Sequence, residues 1–269
     1  MIDPDRYLIR PHTKVKLSDF DPDETGDFKN NEEAEVILER HRTRLFELQE
    51  LLYAEDKRSL LVVLQGMDAS GKDGTVRHIF TGLNPQGCQV SSFKQPAGEE
   101  LQHDYLWRVH RRVPARRMIG IFNRSHYEEA LVVRVHGNLS KDEVKERFEA
   151  FNNLEELLVE NQTVILKFFL HISKDEQKKR LQERLDHPQK YWKVSLDDIK
   201  ERRFWDDYAK AYEDVLRHCS KKHAPWYVIP ANKKWYRNVV ISQILVDKLE
   251  SLKMTYPKPQ FDLKKIKVK

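Results

Sequence analysis

The sequence predicts an α/β fold, a three-layer sandwich in which helices cover both faces of a parallel central sheet. Apolar runs of strand length alternate along the chain with longer helical patterns, as parallel sheets require. The clearest run, SLLVVLQ at 59–65, lacks polar alternation, which is typical of a strand buried on both faces. The length of 269 residues is compatible with one α/β unit.

The other elements follow from the same two patterns. Further strands are predicted at 88–93, 117–124, 163–172 and 227–231. Helices are predicted at 31–55, 71–82, 101–112, 140–160 and 235–252. Residues 1–30, rich in Asp, Pro and Lys, are predicted to form an arm that is ordered only where it packs on the main body. We therefore expect an arm and helix over 1–55, packed on a core that spans 56–269.

A long segment between two predicted core strands contains no strand pattern. Residues 174–218 form polar helical stretches that are joined by HPQKYWKVS. A helical excursion of this size within an α/β core predicts a lid.

Composition limits the functional classes. The 48 basic and 43 acidic residues are interspersed, so the net charge of +5 does not by itself specify an anionic partner. Cys88 and Cys219 provide neither a disulfide framework nor metal-ligand spacing, and we expect two buried thiols in a reducing compartment. The N-terminal residues lack the apolar region of a secretory signal, and no run approaches the roughly 18 apolar residues that span a bilayer. We expect a cytoplasmic protein without membrane association.

The segment GMDASGKD at 66–73 matches the phosphate-binding pattern G-x-x-x-x-G-K, directly after a buried strand and before a helix. Its glycines let the backbone N–H groups point at an anion, and the following helix adds its positive N-terminal end. Lys72 adds a full charge for the transferred phosphoryl group. The alternative is an ordinary turn with chance glycines. The predicted phosphate-binding residues are Gly66, Met67, Ala69, Ser70, Gly71, Lys72, Asp73, Gly74 and Thr75.

Two carboxylates in this loop depart from the general pattern. Asp68 faces the expected phosphates, where a negative group is repulsive unless a cation lies between them. We therefore assign Asp68 to magnesium, with orientation or deprotonation of the accepting phosphate as a second role. A helix N-cap that points to solvent is the alternative. Asp73 stands where most such loops carry Ser or Thr; metal binding is one interpretation, and an interaction with the helix dipole alone is the favoured one.

The predicted strand at 117–124 ends in a second polar group, IFNRSHYEE at 121–129. Arg124 can bind a phosphate through two parallel hydrogen bonds. Asn123 occupies the place where the neighbouring strand of such folds usually ends in a magnesium-binding Asp. Glu128, one helical turn further on, is a candidate for the missing carboxylate, and a surface glutamate on a helix is the equal alternative.

The ordered motifs GMDASGKDGT, FNRSHYE, RLDHPQKYWKVSLDDIKERRFWDDYAKAYE and HAPWYVIPA resemble the polyphosphate kinase 2 family. They extend from about residue 59 to the final helix, and the FNRSHYE form resembles the branch that phosphorylates both AMP and ADP. Most of the family reads FDRSWY, so the departure at Asn123 leaves open whether this position binds metal. The resemblance implies a P-loop kinase-like, specifically thymidylate-kinase-like, core.

The resemblance also implies an activity and partners. The implied reaction is the reversible transfer of the terminal phosphate of inorganic polyphosphate to AMP and ADP, giving ADP and ATP, with Mg²⁺ as cofactor and Mn²⁺ as a candidate substitute. Guanine nucleotides are further candidate substrates, and a homo-oligomer is expected. The family's catalytic roles transfer to Asp68, Lys72 and Arg124, and to Asn123 with the stated reservation.

A polyphosphate donor carries at least one negative charge per phosphate and has no base or sugar. We therefore expect its binding to be electrostatic and to weaken with salt. The lid offers Arg180 and Arg184 on one helix face, followed by Lys193 and Arg203. Lys94 and Arg108 are candidates for contacts with the nucleotide or with polyphosphate. The alternative for each cation is a solvated position paired with a neighbouring acid.

Three rival functions remain at this point. A conventional ATP-dependent nucleotide kinase would share the fold, but Asp68 and the surplus of lid cations favour polyphosphate. A nucleic-acid-binding protein is suggested by a pI near 9.0 and by the arginine-rich segment 108–117. It would leave the phosphate-binding motif unexplained, and no recognisable nucleic-acid module is present. A regulatory protein without activity is disfavoured by the intact Lys72 and Arg124.

Overall fold

A computed structural model describes residues 2–137 and 139–266. Residues 1, 138 and 267–269, which fall inside the predicted arm and core, lie outside the described residues. The strands are β1 (Leu8–Ile9), β2 (Ser59–Gln65), β3 (Cys88–Ser92), β4 (Ile119–Asn123), β5 (Thr163–His171) and β6 (Trp226–Pro230). The helices are α1 (Asn31–Glu55), α2 (Lys72–Ile79), α3 (Trp107–His110), α4 (Glu128–Val135), α5 (Lys141–Glu160), α6 (Lys174–Asp186), α7 (Leu196–Glu201), α8 (Trp205–Cys219) and α9 (Lys234–Ser251).

The strands form one sheet in the order β1-β6-β5-β2-β4-β3. The neighbouring strands β3-β4, β4-β2, β2-β5 and β5-β6 are all parallel, and β1 is antiparallel to β6. β2 lies between β4 and β5, with Val62 opposite both Ile121 and Leu166, and all seven of its residues are buried. The uninterrupted apolar run that predicted this strand is explained by its central position.

The order of the strands determines where a ligand can bind. From β2 the chain crosses over β4 to reach β3 at one edge of the sheet. From β4 it later crosses over β2 in the opposite direction to reach β5. Right-handed crossovers in opposite directions place their helices on opposite faces of the sheet. Accordingly α1, α2 and α9 pack together, as do α4, α5 and α8. Such a reversal opens a crevice at the carboxyl end of the strands, here beside β2.

Helix α9 is buried on nearly all sides. It carries an apolar sequence in which even Arg237, Asn238 and Ser242 are buried, as expected of a helix covered on both sides. α1 lies on its outer side, where His41 Nδ1 and Ser242 Oγ are 2.8 Å apart. The N-terminal arm is tied to the same region, because the hydroxyl groups of Tyr7 and Tyr236 lie 2.6 Å apart.

The predicted helix at 101–112 is wrong. A 3₁₀ turn at Gly98–Gln102 is followed by the single turn of α3. The side chain of Asp104 interrupts the pattern, because its Oδ1 accepts hydrogen bonds from Leu106 N at 2.9 Å and Trp107 N at 3.1 Å. An aspartate that bonds to the backbone two and three residues ahead favours a local turn over a continuous helix, and α3 begins only at Trp107. Strand β1 was also missed, and Cys88 is only partly buried.

The excursion between β5 and β6 contains helices of two kinds. α8 packs in the layer of α4 and α5, with Ala211, Tyr212 and Val215 buried. α7 and the two 3₁₀ turns around it, Pro188–Lys193 and Arg202–Phe204, contain no buried residue. Within the ranges that the structure describes, no helix combines the length and apolarity that crossing a bilayer requires.

Candidate active site

The loop that follows β2 turns its backbone inward at the carboxyl end of the sheet. Gly66, Ala69 and Gly71 all have positive φ, at 152°, 61° and 103°. A Cβ atom on Gly66 would lie 2.8 Å from the Leu170 carbonyl oxygen, so only glycine fits there. Gly71 caps the N-terminus of α2. Together the loop amides and the helix terminus form a concave site for an anion.

Lys72 is the first residue of α2 and is buried. Its Nζ donates hydrogen bonds to Gly66 O at 2.7 Å and Met67 O at 3.2 Å. Burial, followed by the positive charge of Arg124, lowers the pKa of Lys72 to about 8, although Asp68 and Glu128 oppose the shift. The ammonium group therefore lies inside the loop, with partners that a phosphate oxygen could replace.

Arg124 connects the ends of β2 and β4. Its backbone N donates to Leu64 O at 3.0 Å, and its φ is 61°. Nη2 donates to Asp68 Oδ1 at 2.8 Å, and Nη1 lies 3.8 Å from Glu128 Oε2. Burial raises the pKa of Glu128, while Arg124 and then Lys72 oppose that shift. The loop, the strand end and α4 thus bring two cations and two carboxylates together.

These carboxylates are compatible with a hard divalent cation. Magnesium in phosphoryl-transfer sites commonly takes one or two protein carboxylates and completes its shell with phosphate oxygens and water. Asp68 and Glu128 supply that number and type of ligand. Within residues 2–137 and 139–266, no group of three or more His, Cys, Asp or Glu side chains is arranged to hold a metal. The Asn123 amide donates to Asp73 Oδ1 at 2.6 Å, so these two side chains satisfy each other.

A cleft of about 630 Å³ opens in front of the loop, within the range of small-molecule sites. Gly66, Met67, Asp68 and Arg124 line it at the loop and the end of β4. α4 and α8 contribute an apolar and aromatic slot, lined by Val132, Val133, Trp205, Tyr208 and Tyr212. The lid contributes Gln177, Asp197, Asp198, Glu201 and Arg202, and the chain after β3 contributes Phe93, Lys94, Gln95 and Pro96.

Both residues predicted to contact a nucleotide line this cleft. Lys94 follows β3, and Arg108 lies beside it in the wall. Arg108 is buried and donates from Nη1 to Lys94 O at 2.6 Å and from Nη2 to Glu129 Oε1 at 2.8 Å. Because Glu129 pairs with its charge, Arg108 is a fixed part of the cleft wall. Lys94 is therefore the cation that is more available to a ligand.

The predicted lid cations have separate positions. Arg184 donates from Nη1 to Asp198 Oδ2 at 2.8 Å and to Lys193 O at 3.0 Å, which holds the lid turn together. Lys193 lies over the exposed ring of Trp192, and Arg203 is exposed beside Phe204. Neither lines the cleft. Arg202 does, and it donates to Gln177 Oε1 at 2.9 Å.

Arg180 lies behind the phosphate-binding loop and not, as expected, in the substrate cleft. Its Nη1 donates to Ala69 O and Ser70 O, each at 3.0 Å, and its Nη2 donates to Ala231 O and Asn232 O. Nε donates to Glu176 Oε1 at 2.7 Å. Because protein oxygens accept hydrogen bonds from all three of these nitrogens, the guanidinium stabilises the backbone of the loop.

Sequence reasoning did not single out several cleft residues as functional. Trp205, Tyr208 and Tyr212 follow the i, i+3, i+7 spacing of one helix face, and that spacing was the available signal. Asp198 lies in the lid, where burial and then the charge of Asp68 raise its pKa. Tyr208 donates to Glu201 Oε2 at 2.8 Å. This glutamate also lies 3.2 Å from Nε2 of His136, which joins the lid to α4.

Comparison with known proteins bears on this geometry. The family model described as polyphosphate kinase 2 matches residues 28–257. The chain belongs to the polyphosphate kinase 2 family. Among similar curated proteins, the AMP/ADP-polyphosphate phosphotransferase of Meiothermus ruber is 51% identical and aligns over 97% of this chain and 98% of its own length. The ADP-polyphosphate phosphotransferase of Rhodopseudomonas palustris is 45% identical, over 94% and 91% respectively.

The fold of this polyphosphate kinase 2 family member also matches solved structures. The crystal structure of polyphosphate kinase 2 from Arthrobacter aurescens TC1 superposes with a TM-score of 0.93 at 43% identity, over 98% of this chain and 94% of that one. A putative polyphosphate kinase 2 from Pseudomonas aeruginosa superposes with a TM-score of 0.81 at 32% identity, over 87% and 50%. The α/β sandwich with its mostly parallel sheet is therefore the fold of this family.

Proposed function

We propose that this protein transfers the terminal phosphate of inorganic polyphosphate to AMP and ADP, giving ADP and ATP, in a reversible reaction that uses Mg²⁺. The observation that carries the proposal is that Gly66, Met67, Asp68 and Arg124 line one cleft, while the Lys72 ammonium group is bonded to the carbonyl oxygens of Gly66 and Met67 beside it. The names of the two curated relatives, which specify AMP, ADP and polyphosphate, support the same reaction.

The site's groups suit phosphoryl transfer, in which the protein mainly positions the reactants and offsets negative charge. The amides of the loop 66–71 bind the donor's terminal phosphates. Lys72 exchanges its carbonyl partners for phosphoryl oxygens, and Arg124 neutralises charge between donor and acceptor. Asp68 and Glu128 would hold Mg²⁺, which when bound neutralises phosphate oxygens and helps to align them. Asp68 also orients the accepting phosphate.

The acceptor occupies the remainder of the cleft. Its phosphate lies near Arg124 and Lys94, and its nucleoside enters the slot between α4 and α8. Aliphatic and aromatic walls suit a flat base, and they leave room for guanine nucleotides as further substrates.

Mn²⁺ as substitute cation, the homo-oligomer and the cytoplasmic location stay predictions of the sequence.

A donor-swap assay tests this proposal. Purified protein is incubated with Mg²⁺, AMP and polyphosphate in the absence of ATP, and the nucleotides are separated by chromatography. We expect ADP first and ATP later, and the Lys72→Ala protein serves as the control for contaminating kinases. Without any nucleotide product, the proposal would fail. ADP formation from AMP with ATP as donor, but not with polyphosphate, would establish the conventional nucleotide kinase instead.

A further inference from the structure

Arg237 is a buried cation that the proposed reaction does not yet use. It lies in the first turn of α9 and is 1% exposed. Its side chain reaches the underside of the phosphate-binding loop, where Nη1 donates to Ser70 O at 3.4 Å. Arg180 donates to the same carbonyl oxygen at 3.0 Å. Two guanidinium groups therefore meet directly behind the loop.

Two glycines permit this approach. A Cβ atom on Gly71 would lie 2.1 Å from Arg237 Nη1, and one on Gly74 would lie 3.5 Å from Nη2. The two positions are separated by one helical turn, so they share a face of α2. Gly74 lies inside the helix, where glycine is unfavourable. The guanidinium thus lies close to the backbone that begins α2, and at Gly71 any side chain would displace it.

The charge of Arg237 has no carboxylate partner among the residues that the structure describes. Its Nε and Nη2 donate to the neutral amide of Asn238, at 3.1 and 2.8 Å. The nearest charged neighbour on the same carbonyl is Arg180, whose own carboxylate partner is Glu176. Burial, and then Arg180, lower the pKa of Arg237 to about 9. An unpaired buried charge is costly unless something compensates for it.

We propose that Arg237 is a positioning residue of the phosphate-binding loop, and that the negative charge of the bound phosphate chain compensates its unpaired charge. This inference rests on the proposed function. Arg237 fixes the Ser70 carbonyl from beneath, so that the loop amides face the anion. Its charge acts on the anion through a poorly screened, protein-filled path. In the anion-free protein the same charge opposes folding.

Thermal unfolding, with and without tripolyphosphate and Mg²⁺, separates this role from ordinary packing. For Arg237→Met we expect a melting temperature without anion that equals or exceeds that of the wild type, because an apolar side chain replaces an unpaired charge. The increase in melting temperature that tripolyphosphate causes should fall to less than about half. Arg180→Met, which removes a fully bonded guanidinium, should instead melt lower under both conditions. Arg40→Met, at an exposed position of α1, is the control.

Kinetics provides a second measurement. In Arg237→Met the KM for polyphosphate should rise roughly tenfold, while the KM for AMP changes by less than about twofold. Arg237→Lys keeps the charge and should retain most of the response to tripolyphosphate. If Arg237→Met melts lower but keeps the full response, or if the lysine variant loses it equally, the inference is wrong. A wild type that does not respond to tripolyphosphate would overturn the proposed function as well.

Discussion

The ammonium group of Lys72 is held inside the phosphate-binding loop by two carbonyl oxygens of that same loop. These partners are neutral dipoles, and burial has lowered the pKa of the amine to about 8. A phosphate chain in the loop would replace them with full negative charges, which favour the protonated amine. We therefore expect the charge state of Lys72 to depend on whether an anion occupies the loop.

Lys72→Ala and Arg124→Ala should each lower kcat by roughly 100-fold or more, because each removes a positive group that faces the transferred phosphoryl. Formation of ADP from AMP and polyphosphate measures the loss. Circular dichroism and thermal unfolding check that each variant is folded, with Arg40→Ala, at an exposed position of α1, as the surface control. Rates near the wild type in either folded variant would show that the site lies elsewhere.

The lowered pKa of Lys72 also predicts a pH dependence. As the pH rises through about 8, the anion-free protein loses this positive charge, so the KM for polyphosphate should rise. The effect on stability has the opposite sign. The buried ammonium opposes folding below pH 8, and this penalty declines as the pH approaches the ordinary lysine value of 10.5.

The KM for polyphosphate, measured from about pH 7 to about pH 9.5, tests this prediction. Lys72→Arg is the matched variant, since a guanidinium stays charged over this range. Its KM should be flat where that of the wild type rises. Parallel curves in the two proteins would mean that another group sets the pH dependence.

At the scale of secondary structure, strong periodicity was a reliable guide. α1, β2, β5 and α9 begin and end within about one residue of the predicted bounds. Each carries a long, uniform pattern. The failure at 101–112 arose because the Asp104 side chain bonds to local backbone, which outweighs a weak helical pattern. β1 has only two residues, too few for any pattern.

Helix α6 shows why the roles of its arginines could not be predicted. The i, i+4 spacing correctly placed Arg180 and Arg184 on one face of the same helix. Which of them faces substrate depends on what the helix meets in three dimensions. Arg180 meets carbonyl groups of the loop and of the chain after β6, while Arg184, one turn further, meets Asp198 of the lid. Sequence spacing contains none of that information.

The contact between α6 and α7 predicts a rescue experiment. Burial and the charge of Asp68 raise the pKa of Asp198, and Arg184 compensates its negative charge. Arg184→Ala leaves that carboxylate unpaired and facing Asp68, so we expect kcat/KM to fall roughly tenfold at neutral pH. Adding Asp198→Asn removes the repulsion and should restore most of the activity. Independent losses that multiply in the double variant would exclude this coupling.

For the molecule as a whole, buried charges were the features that sequence patterns concealed. Lys167 lies in the apolar run of β5, yet it is fully buried and paired with Glu155 of α5. Arg237 is buried in α9 behind a loop that precedes it by more than 160 positions. Because such partners meet only through the packing of the sheet and its helices, neither local composition nor periodicity could reveal them.

The charge of the molecule matters through its distribution and not through its total. The formal net charge of +5 is spread over 48 basic and 43 acidic residues. Around the phosphate-binding loop, however, Lys72, Arg124, Arg180 and Arg237 converge. In the proposed reaction, a ligand with many phosphates would bind at this concentration of positive charge, whereas the nucleoside part of an acceptor would lie in the apolar slot.

This distribution predicts that salt discriminates between the two substrates. Added KCl screens the interaction of the cations with a long polyanion, and it lowers the free energy gained when the counterions of the polyanion are released on binding. A plot of log KM against log salt concentration should therefore be steeper for polyphosphate than for AMP. The measurement uses fixed Mg²⁺, a saturating concentration of the other substrate and salt from about 0.05 to about 0.3 M.

Chain length and charge variants sharpen the same experiment. Tripolyphosphate has few phosphates beyond those that the loop holds, so its slope should lie between those of long polyphosphate and AMP. Lys94→Ala should change the slope for AMP more than that for polyphosphate, because Lys94 lies at the acceptor side of the cleft. If the slopes for long polyphosphate and AMP coincide, the cations around the loop do not form the binding site for the donor.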